Sequence, residues 1–180
     1  RTGTRVPGDT ASTSGRIFAR APWGDFRATP VAQELVDGQT LDVAGGLRVI
    51  HTPGHTPGHI SLLHPGSGVL ITGDSIFNMN SRMSWPTKVF CTSFRQNVET
   101  AHVLGELDYS LAAFTHGPEI RDNAREQVRG FLQRAQLLVE AFQQFLVQRL
   151  LPAEGPAPAG QGLVLERLEF GRDEALGVFQ

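Results

Sequence analysis

Short apolar runs separated by turn residues fill the chain between residues 31 and 115, a pattern that is typical of a β-sheet. The predicted strands span residues 33–36, 40–43, 47–51, 60–63, 69–72 and 111–115. The segment 52–58 contains two prolines and two glycines, which break both β-ladders and helices. We therefore expect a rigid loop there, between the third and fourth predicted strands.

Two segments have apolar residues at helical spacing. Residues 93–107 carry Phe94, Val98, Ala101 and Leu104 at that spacing, and Ser93 is placed to cap the helix N-terminus. A broader apolar stripe over residues 121–151 predicts a long amphipathic helix that packs on a sheet or on a second chain. Residues 74–88 show no clear period, so we expect them to be irregular.

The 180-residue chain is long enough to bury a core of its own. Residues 1–30 are rich in Gly, Pro, Thr, Ser and Ala and predict an irregular N-terminal segment. Residues 31–151 form the predicted folded part. Residues 152–162 read as a Pro/Ala/Gly linker, and residues 163–180 as a tail of unknown role with a strand-like pattern at 163–170.

Composition narrows the classes of partner. The net charge is −2 with 19% charged residues, which gives no electrostatic reason to expect nucleic acid or an anionic membrane. Cys91 is the single cysteine, which excludes an intrachain disulfide and a four-cysteine zinc site and fits a reducing cytosol. No apolar run approaches the roughly 18 residues of a membrane span. We expect a cytoplasmic protein.

The candidate chemistry lies at three strand ends. His55 sits within Thr-Pro-Gly-His-Thr-Pro-Gly, Asp74 follows the apolar run 69–73, and His116 follows the apolar run 111–115. A carboxylate at a strand end needs a cation or hydrogen-bond donors. Two imidazoles and one carboxylate suit zinc or iron. A single histidine beside an apolar strand is more often structural, and we keep that interpretation for His51, His64 and His102.

The series strand–Thr-Pro-Gly-His-Thr-Pro-Gly, strand, strand–Thr-Gly-Asp, helix, strand–His-Gly-Pro resembles the second half of a metallo-β-lactamase-fold hydrolase, over about residues 31–150. The resemblance implies an α/β (α+β) fold, the C-terminal portion of an αββα sandwich with a dinuclear metal site at one edge. It implies that His55 binds the first metal, that Asp74 bridges both metals as the catalytic carboxylate, and that His116 binds the second.

The same resemblance implies a function. Two zinc ions, with iron or manganese as alternatives, activate a hydroxide that hydrolyses an ester, thioester, lactone or amide in a small-molecule substrate. His59 is a candidate for orienting the neighbouring ligands. Met79, Met83 and Trp85, with segment 22–26, are candidates for the substrate loops, although a hydrophobic loop covering the sheet is the commoner role for such residues.

Half of the family's ligand set is missing from these 180 residues. The other ligands belong to a His-x-His-x-Asp-His motif, and the chain has no His-x-His. We therefore expect the chain to be inactive alone. Three explanations stay open: a longer enzyme of which this is the C-terminal part, which we favour; a homodimer or a complementing N-terminal half; or a catalytically silent binding or assembly module that uses the stripe at 121–151.

Overall fold

The structure is a computed structural model that describes residues 16–17, 20 and 29–150. The chain divides into two compact units, Arg1–Arg129 and Gly130–Gln180. The predicted linker at 152–162, the tail at 163–180, the segment 22–26 and most of the irregular N-terminal segment lie outside the described residues. Strands and helices are both present, so the predicted mixed α/β class is confirmed.

A five-stranded sheet forms the centre of the first unit. Its strands are β1 (Thr40–Leu41), β2 (Leu47–His51), β3 (Ile60–His64), β4 (Val69–Ile71) and β7 (Leu111–Ala113), in the spatial order β1-β2-β3-β4-β7. The pairs from β1 to β4 are antiparallel, and β4 pairs with β7 in parallel. The parallel pair brings the C-terminal ends of β4 and β7 to the same edge of the sheet.

One helix precedes β7 along the chain, and the other follows it. The first helix, α1, spans Phe94–Ala101 and continues as a 3₁₀ turn over His102–Glu106. The second, α2, spans Ala124–Leu150 and crosses from the first unit into the second. Ser93 caps α1, because its side chain accepts a hydrogen bond from the backbone N–H of Gln96, as the sequence predicts.

One face of the sheet carries the buried core of the first unit. The strand register places Ile50, Ser61, Leu63, Leu70 and Ala112 on this face, and all five are buried. The opposite face carries Val49, Leu62, Ile71 and Ala113 side by side. Val49 is buried, whereas the other three residues are half-buried or exposed and are only partly removed from water.

The predicted strand at 33–36 is wrong. If the β1–β2 pairing continued in the same register, residues 33–36 would pair with residues 52–55. The backbone N–H of His51 instead donates to the Asp37 carboxylate, 2.8 Å away. Pro53 has no N–H to offer to a ladder. The hairpin therefore ends at Asp37, and residues 33–36 are exposed.

The expectation that residues 74–88 are irregular is also wrong in part. Phe77–Met79 (β5) and Arg82–Ser84 (β6) form an antiparallel hairpin. Its two turn residues, Asn80 and Ser81, have positive φ values of 52° and 57°. Tight hairpin turns of this kind usually contain glycine, and the sequence Asn-Ser gives only a weak turn signal.

Within the residues that the structure describes, no helix is both long enough and apolar enough to cross a membrane.

Helix α1 fixes the rigid loop that follows β2. The backbone N–H of Ser93 donates to the Gly54 carbonyl oxygen at 2.8 Å, and that of Thr92 donates to the His55 carbonyl oxygen at 2.9 Å. These two bonds come from the N-terminal end of α1, so the position of His55 depends on the position of this helix.

Gly54 permits this contact because it has no side chain. Its φ is +141°, and a Cβ there would lie 2.1 Å from the backbone nitrogen of Asn97 and 2.3 Å from its Cα. Both atoms belong to the α1 backbone and cannot move aside cheaply. Only glycine fits between the loop and the helix.

We expect Gly54→Ala to lower the free energy of unfolding by about 2 kcal/mol or more, because it adds backbone strain and a collision with α1. Gly58→Ala is the matched control in the same loop, since nothing lies within 4 Å of a Cβ there. Urea unfolding of both variants is the measurement. Equal destabilisation by the two substitutions would contradict the close packing of the loop on α1.

Candidate functional site

The three predicted ligands come together at one edge of the sheet. His55 lies in the loop after β2, Asp74 in the 3₁₀ turn Gly73–Ser75 after β4, and His116 just beyond β7. His55 Nε2 is 3.4 Å from Asp74 Oδ2, and His116 Nε2 is 3.5 Å from Asp74 Oδ1. Each carboxylate oxygen therefore faces a different imidazole.

The two sides of the carboxylate differ in exposure. The His55 side chain is 17% exposed, whereas the His116 side chain is 56% exposed. The Phe77 ring of β5 packs against the His116 ring with centroids 4.3 Å apart. The site is therefore open to solvent mainly on the side of His116.

The donor set and its spacing fit a pair of metal ions that share the carboxylate. Two ligand atoms at about 2.0–2.1 Å from a tetrahedral zinc ion lie about 3.3 Å apart. The His55–Asp74 and His116–Asp74 distances are close to this separation. Imidazole nitrogen and carboxylate oxygen are also ligand types that zinc and iron accept.

Neither the His55–Asp74 pair nor the His116–Asp74 pair provides a complete coordination shell for a metal ion. Among the residues that the structure describes, no three His, Cys, Asp or Glu side chains are grouped so that they could hold one ion. The Asp74 carboxylate contributes one oxygen toward each imidazole, which gives each position two ligand atoms. A catalytic zinc site normally has three protein ligands, so each position lacks at least one.

His59 holds the backbone of Asp74 through a hydrogen bond. The backbone N–H of Asp74 donates to His59 Nε2 at 2.8 Å, so this nitrogen is unprotonated and the proton is on Nδ1. His59 Nδ1 then donates to the Thr52 carbonyl oxygen at 3.0 Å. Burial lowers the pKa of His59, which favours the neutral ring that this arrangement needs. Both ring nitrogens are thus used within the protein.

A buried chain of hydroxyls continues from His59 into the core. Thr52 Oγ1 lies 2.9 Å from His59 Nδ1 and 3.1 Å from Ser61 Oγ. The Ser61 hydroxyl donates to the Thr72 carbonyl oxygen at 2.8 Å, so the Thr52 hydroxyl is the donor to Ser61. The network links the ends of β2, β3 and β4, which are the strands that lead to the site.

Gly73 permits the contact between His59 and the Asp74 turn. Its φ is +58°, and a Cβ there would lie 2.6 Å from His59 Nε2 and 3.0 Å from the Ile60 carbonyl oxygen. A side chain at this position would push the imidazole away from the Asp74 N–H. The glycine of the Thr-Gly-Asp motif is therefore required by the site as well as by the turn.

Three residues near the site escape prediction from the sequence. Thr115 Oγ1 lies 2.6 Å from Asp74 Oδ1, and Cys91 Sγ lies 3.7 Å from His55 Nδ1. Asn97 Nδ2 donates to the Ser75 carbonyl oxygen at 3.0 Å, next to Asp74. The available signal for Asn97 is its polarity on the apolar side of α1. Cys91 has no sequence signal, because its partner is 36 residues away.

The predicted substrate-loop residues have different environments. Met79 is exposed on β5, Met83 is half-buried on β6, and Trp85 is buried. Met83 lines a cleft of about 290 Å³, together with Asn78, the segment 118–122 that follows His116, and other residues. Met83 is therefore placed beside a cavity near the site.

The other histidines make contacts away from the Asp74 carboxylate. His51 Nε2 lies 3.3 Å from the Pro57 carbonyl oxygen, and His64 Nδ1 lies 2.5 Å from Ser67 Oγ. His102 begins the 3₁₀ turn after α1, where burial lowers its pKa. These positions fit the structural interpretation.

Comparison with known proteins places the chain in a family. Residues 7–129 match the model of the metallo-beta-lactamase superfamily. A probable metallo-hydrolase of Bacillus subtilis, YybB, is 29% identical over 77 residues, which cover 43% of this chain and 35% of that protein. A hydroxyacylglutathione hydrolase of Cereibacter sphaeroides is 41% identical over 70 residues, which cover 38% of this chain and 27% of that protein.

Solved structures give a partial match. A metallo-beta-lactamase family protein of Thermus thermophilus aligns with a TM-score of 0.47 and 27% identity, over 79% of this chain and 46% of that chain. A beta-lactamase domain protein of Burkholderia ambifaria aligns with a TM-score of 0.49 and 23% identity, over 82% of this chain and 46% of that chain.

The chain spans about a third of YybB and about a quarter of the hydroxyacylglutathione hydrolase of C. sphaeroides. The family match itself is broader, because it extends over most of the first compact unit. It includes the loop of His55, the turn of Asp74 and the strand end of His116. On this match, the chain belongs to the metallo-beta-lactamase superfamily.

Proposed function

We propose that this chain supplies part of the active site of a metal-dependent hydrolase. Asp74 would help to hold two metal ions, with His55 holding one of them and His116 holding the other. The reaction is hydrolysis of an ester, thioester, lactone or amide in a small-molecule substrate. The observation that carries the proposal is the Asp74 carboxylate with one imidazole nitrogen at about ligand spacing from each of its oxygens.

Each of the site residues has a defined role in this proposal. Asp74 presents one oxygen to each metal position, and His59 keeps the Asp74 backbone in place through the 2.8 Å hydrogen bond. His55 is held by the loop that is bonded to α1. The substrate carbonyl would be polarised, and a water molecule acidified, by metal ions held at these residues. The chain contributes geometry and negative charge at the point where those ions bind.

In the described part of the chain, each of the two proposed metal positions has fewer protein ligands than a catalytic metal site needs. The residues that the structure describes provide two ligand atoms for each position, and a catalytic zinc site uses three. We infer that the remaining ligands come from outside these 180 residues, from the same polypeptide or from a complementing chain. Zinc is the first metal to test because its preferred ligands and distances match, and iron and manganese are the alternatives.

The relatives suggest a substrate class. A protein named as a hydroxyacylglutathione hydrolase is 41% identical to this chain over 70 residues. A hydroxyacylglutathione is a thioester, so we propose a thioester as the first substrate to test. The cleft beside Met83 gives room of about 290 Å³ for a substrate group next to the loop that follows His116.

We expect zinc to bind at the three ligands of the 180-residue chain. Titration with zinc should shift the imidazole ¹⁵N resonances of His55 and His116. Asp74→Ala should weaken zinc binding by about 100-fold or more, since loss of a direct ligand should cost at least as much as loss of its supporting partners. His102→Ala is the matched histidine control and should bind zinc as the wild type does.

A different outcome would support the alternative function. If zinc, iron and manganese all leave the imidazole resonances unchanged at millimolar concentration in the protein of full natural length, that protein does not hold metal at these residues. The binding or assembly module would then be the better description, with the histidine loop serving only to shape the sheet edge.

We also expect hydrolysis by the protein in its full natural length to depend on Asp74. Asp74→Asn keeps the shape of the side chain and removes its charge, so kcat/KM for a hydroxyacylglutathione should fall by about 100-fold or more. His102→Ala should remain within about twofold of the wild type. Unchanged kcat/KM in Asp74→Asn would contradict the proposed role of the carboxylate.

A further inference from the structure

We propose that Thr115 is a positioning residue that fixes the rotation of the Asp74 carboxylate, so that each oxygen faces one imidazole. This inference rests on the proposed function for its consequence, which is metal affinity. Its geometric part concerns only the protein side chains. Thr115 does not touch the metal positions through a ligand atom of its own, and it acts through Asp74.

The sheet register brings Thr115 to this place. β4 and β7 are parallel, with Ile71 paired to Ala113. The backbone N–H of Thr72 donates to the Ala113 carbonyl oxygen at 2.9 Å, which continues the pairing past the end of β4. Two residues farther along each strand, Thr115 lies beside Gly73. The parallel register therefore brings the hydroxyl within reach of the Asp74 turn.

The Thr115 hydroxyl has two acceptors within reach. It lies 2.6 Å from Asp74 Oδ1 and 2.9 Å from the Gly73 carbonyl oxygen. The hydroxyl has a single proton, and a carboxylate oxygen is the stronger acceptor. The short distance to Oδ1 is typical of a charge-assisted hydrogen bond. Thr115 therefore donates to the oxygen that faces His116.

Asp74 needs such a contact because its terminal torsion is otherwise soft. Rotation about the bond to a carboxylate has broad minima, unlike rotation about bonds between tetrahedral carbons. The Asp74 side chain is also 30% exposed, so packing restricts it only in part. His59 holds the Asp74 backbone N–H but does not reach the carboxylate through that bond. Thr115 supplies the missing restraint on the oxygens.

The consequence for metal binding follows from the two distances. With Oδ1 held by Thr115, Oδ1 lies 3.5 Å from His116 Nε2 while Oδ2 lies 3.4 Å from His55 Nε2. Rotation of the Asp74 carboxylate about its terminal torsion would change both imidazole–oxygen distances together. Residues that orient a metal ligand typically contribute about 10- to 100-fold to metal affinity. We therefore assign about a tenfold contribution to the Thr115 hydroxyl.

A matched pair of variants tests the proposal in the 180-residue chain. Thr115→Val keeps the shape of the side chain and removes the hydroxyl, whereas Thr115→Ser keeps the hydroxyl and removes the methyl group. The first measurement uses metal-free protein and compares the imidazole ¹⁵N resonances of His55 and His116. We expect both to shift in Thr115→Val and to stay near the wild-type values in Thr115→Ser.

The second measurement is the zinc dissociation constant, obtained by titration. We expect it to rise about tenfold in Thr115→Val and to stay within about twofold in Thr115→Ser. Thermal unfolding of both variants checks that the fold is intact. A merely structural role would lower the unfolding temperature of Thr115→Val without changing the imidazole resonances of the folded protein.

The outcomes separate this inference from the proposed function. If wild-type protein of full natural length binds no zinc, the proposed function fails, and the metal-free spectra still decide whether Thr115 orients Asp74. If Thr115→Val matches the wild type in the metal-free spectra, the inference is overturned, whatever zinc does. It is also overturned if wild-type protein binds zinc and Thr115→Val binds it equally tightly.

Discussion

The hydrogen bond from the Asp74 backbone N–H to His59 Nε2 connects the two loops that form the site. It requires a neutral imidazole, which burial favours by lowering the pKa of His59. It also requires Gly73, because a side chain there would meet the ring. The Thr-Gly-Asp motif and the second histidine of the Thr-Pro-Gly-His-Thr-Pro-Gly-His stretch are therefore one structural unit, although 15 residues separate the bonded pair.

The rest of the site is held by elements around this bond. The backbone N–H groups of Thr92 and Ser93, directly before α1, donate to the loop carbonyl oxygens, which leaves the His55 side chain on a restrained loop. The same helix reaches the Asp74 turn, where Asn97 donates to the Ser75 carbonyl oxygen. The backbone of the site is thus held by the hydrogen bonds to the His55 loop, by the His59–Asp74 bond and by the Asn97–Ser75 bond. The Asp74 carboxylate is partly exposed and its terminal torsion is soft, so the Thr115 contact restrains it where the backbone contacts do not.

The sequence was sufficient for the parts that depend on local pattern. Short apolar runs bounded by turn residues predict β2, β3 and β7, and His55, Asp74 and His116 are candidates because each follows such a run. The pairing of strands that are distant in the sequence could not be predicted from local pattern. The β5–β6 hairpin was missed because its Asn80-Ser81 turn lacks glycine, and 33–36 was predicted as a strand although Asp37 ends the hairpin. Thr115 was missed because its role appears only once the parallel register of β4 and β7 is known.

The central claim is that His55, Asp74 and His116 together hold metal, and anomalous X-ray diffraction from a zinc-soaked crystal tests it most directly. Data collected above and below the zinc absorption edge should show an anomalous peak between Asp74 Oδ2 and His55 Nε2, at about 2.0–2.2 Å from each atom. A second peak is expected between Asp74 Oδ1 and His116 Nε2. Full occupancy of zinc elsewhere, with no peak in contact with Asp74, would contradict the account.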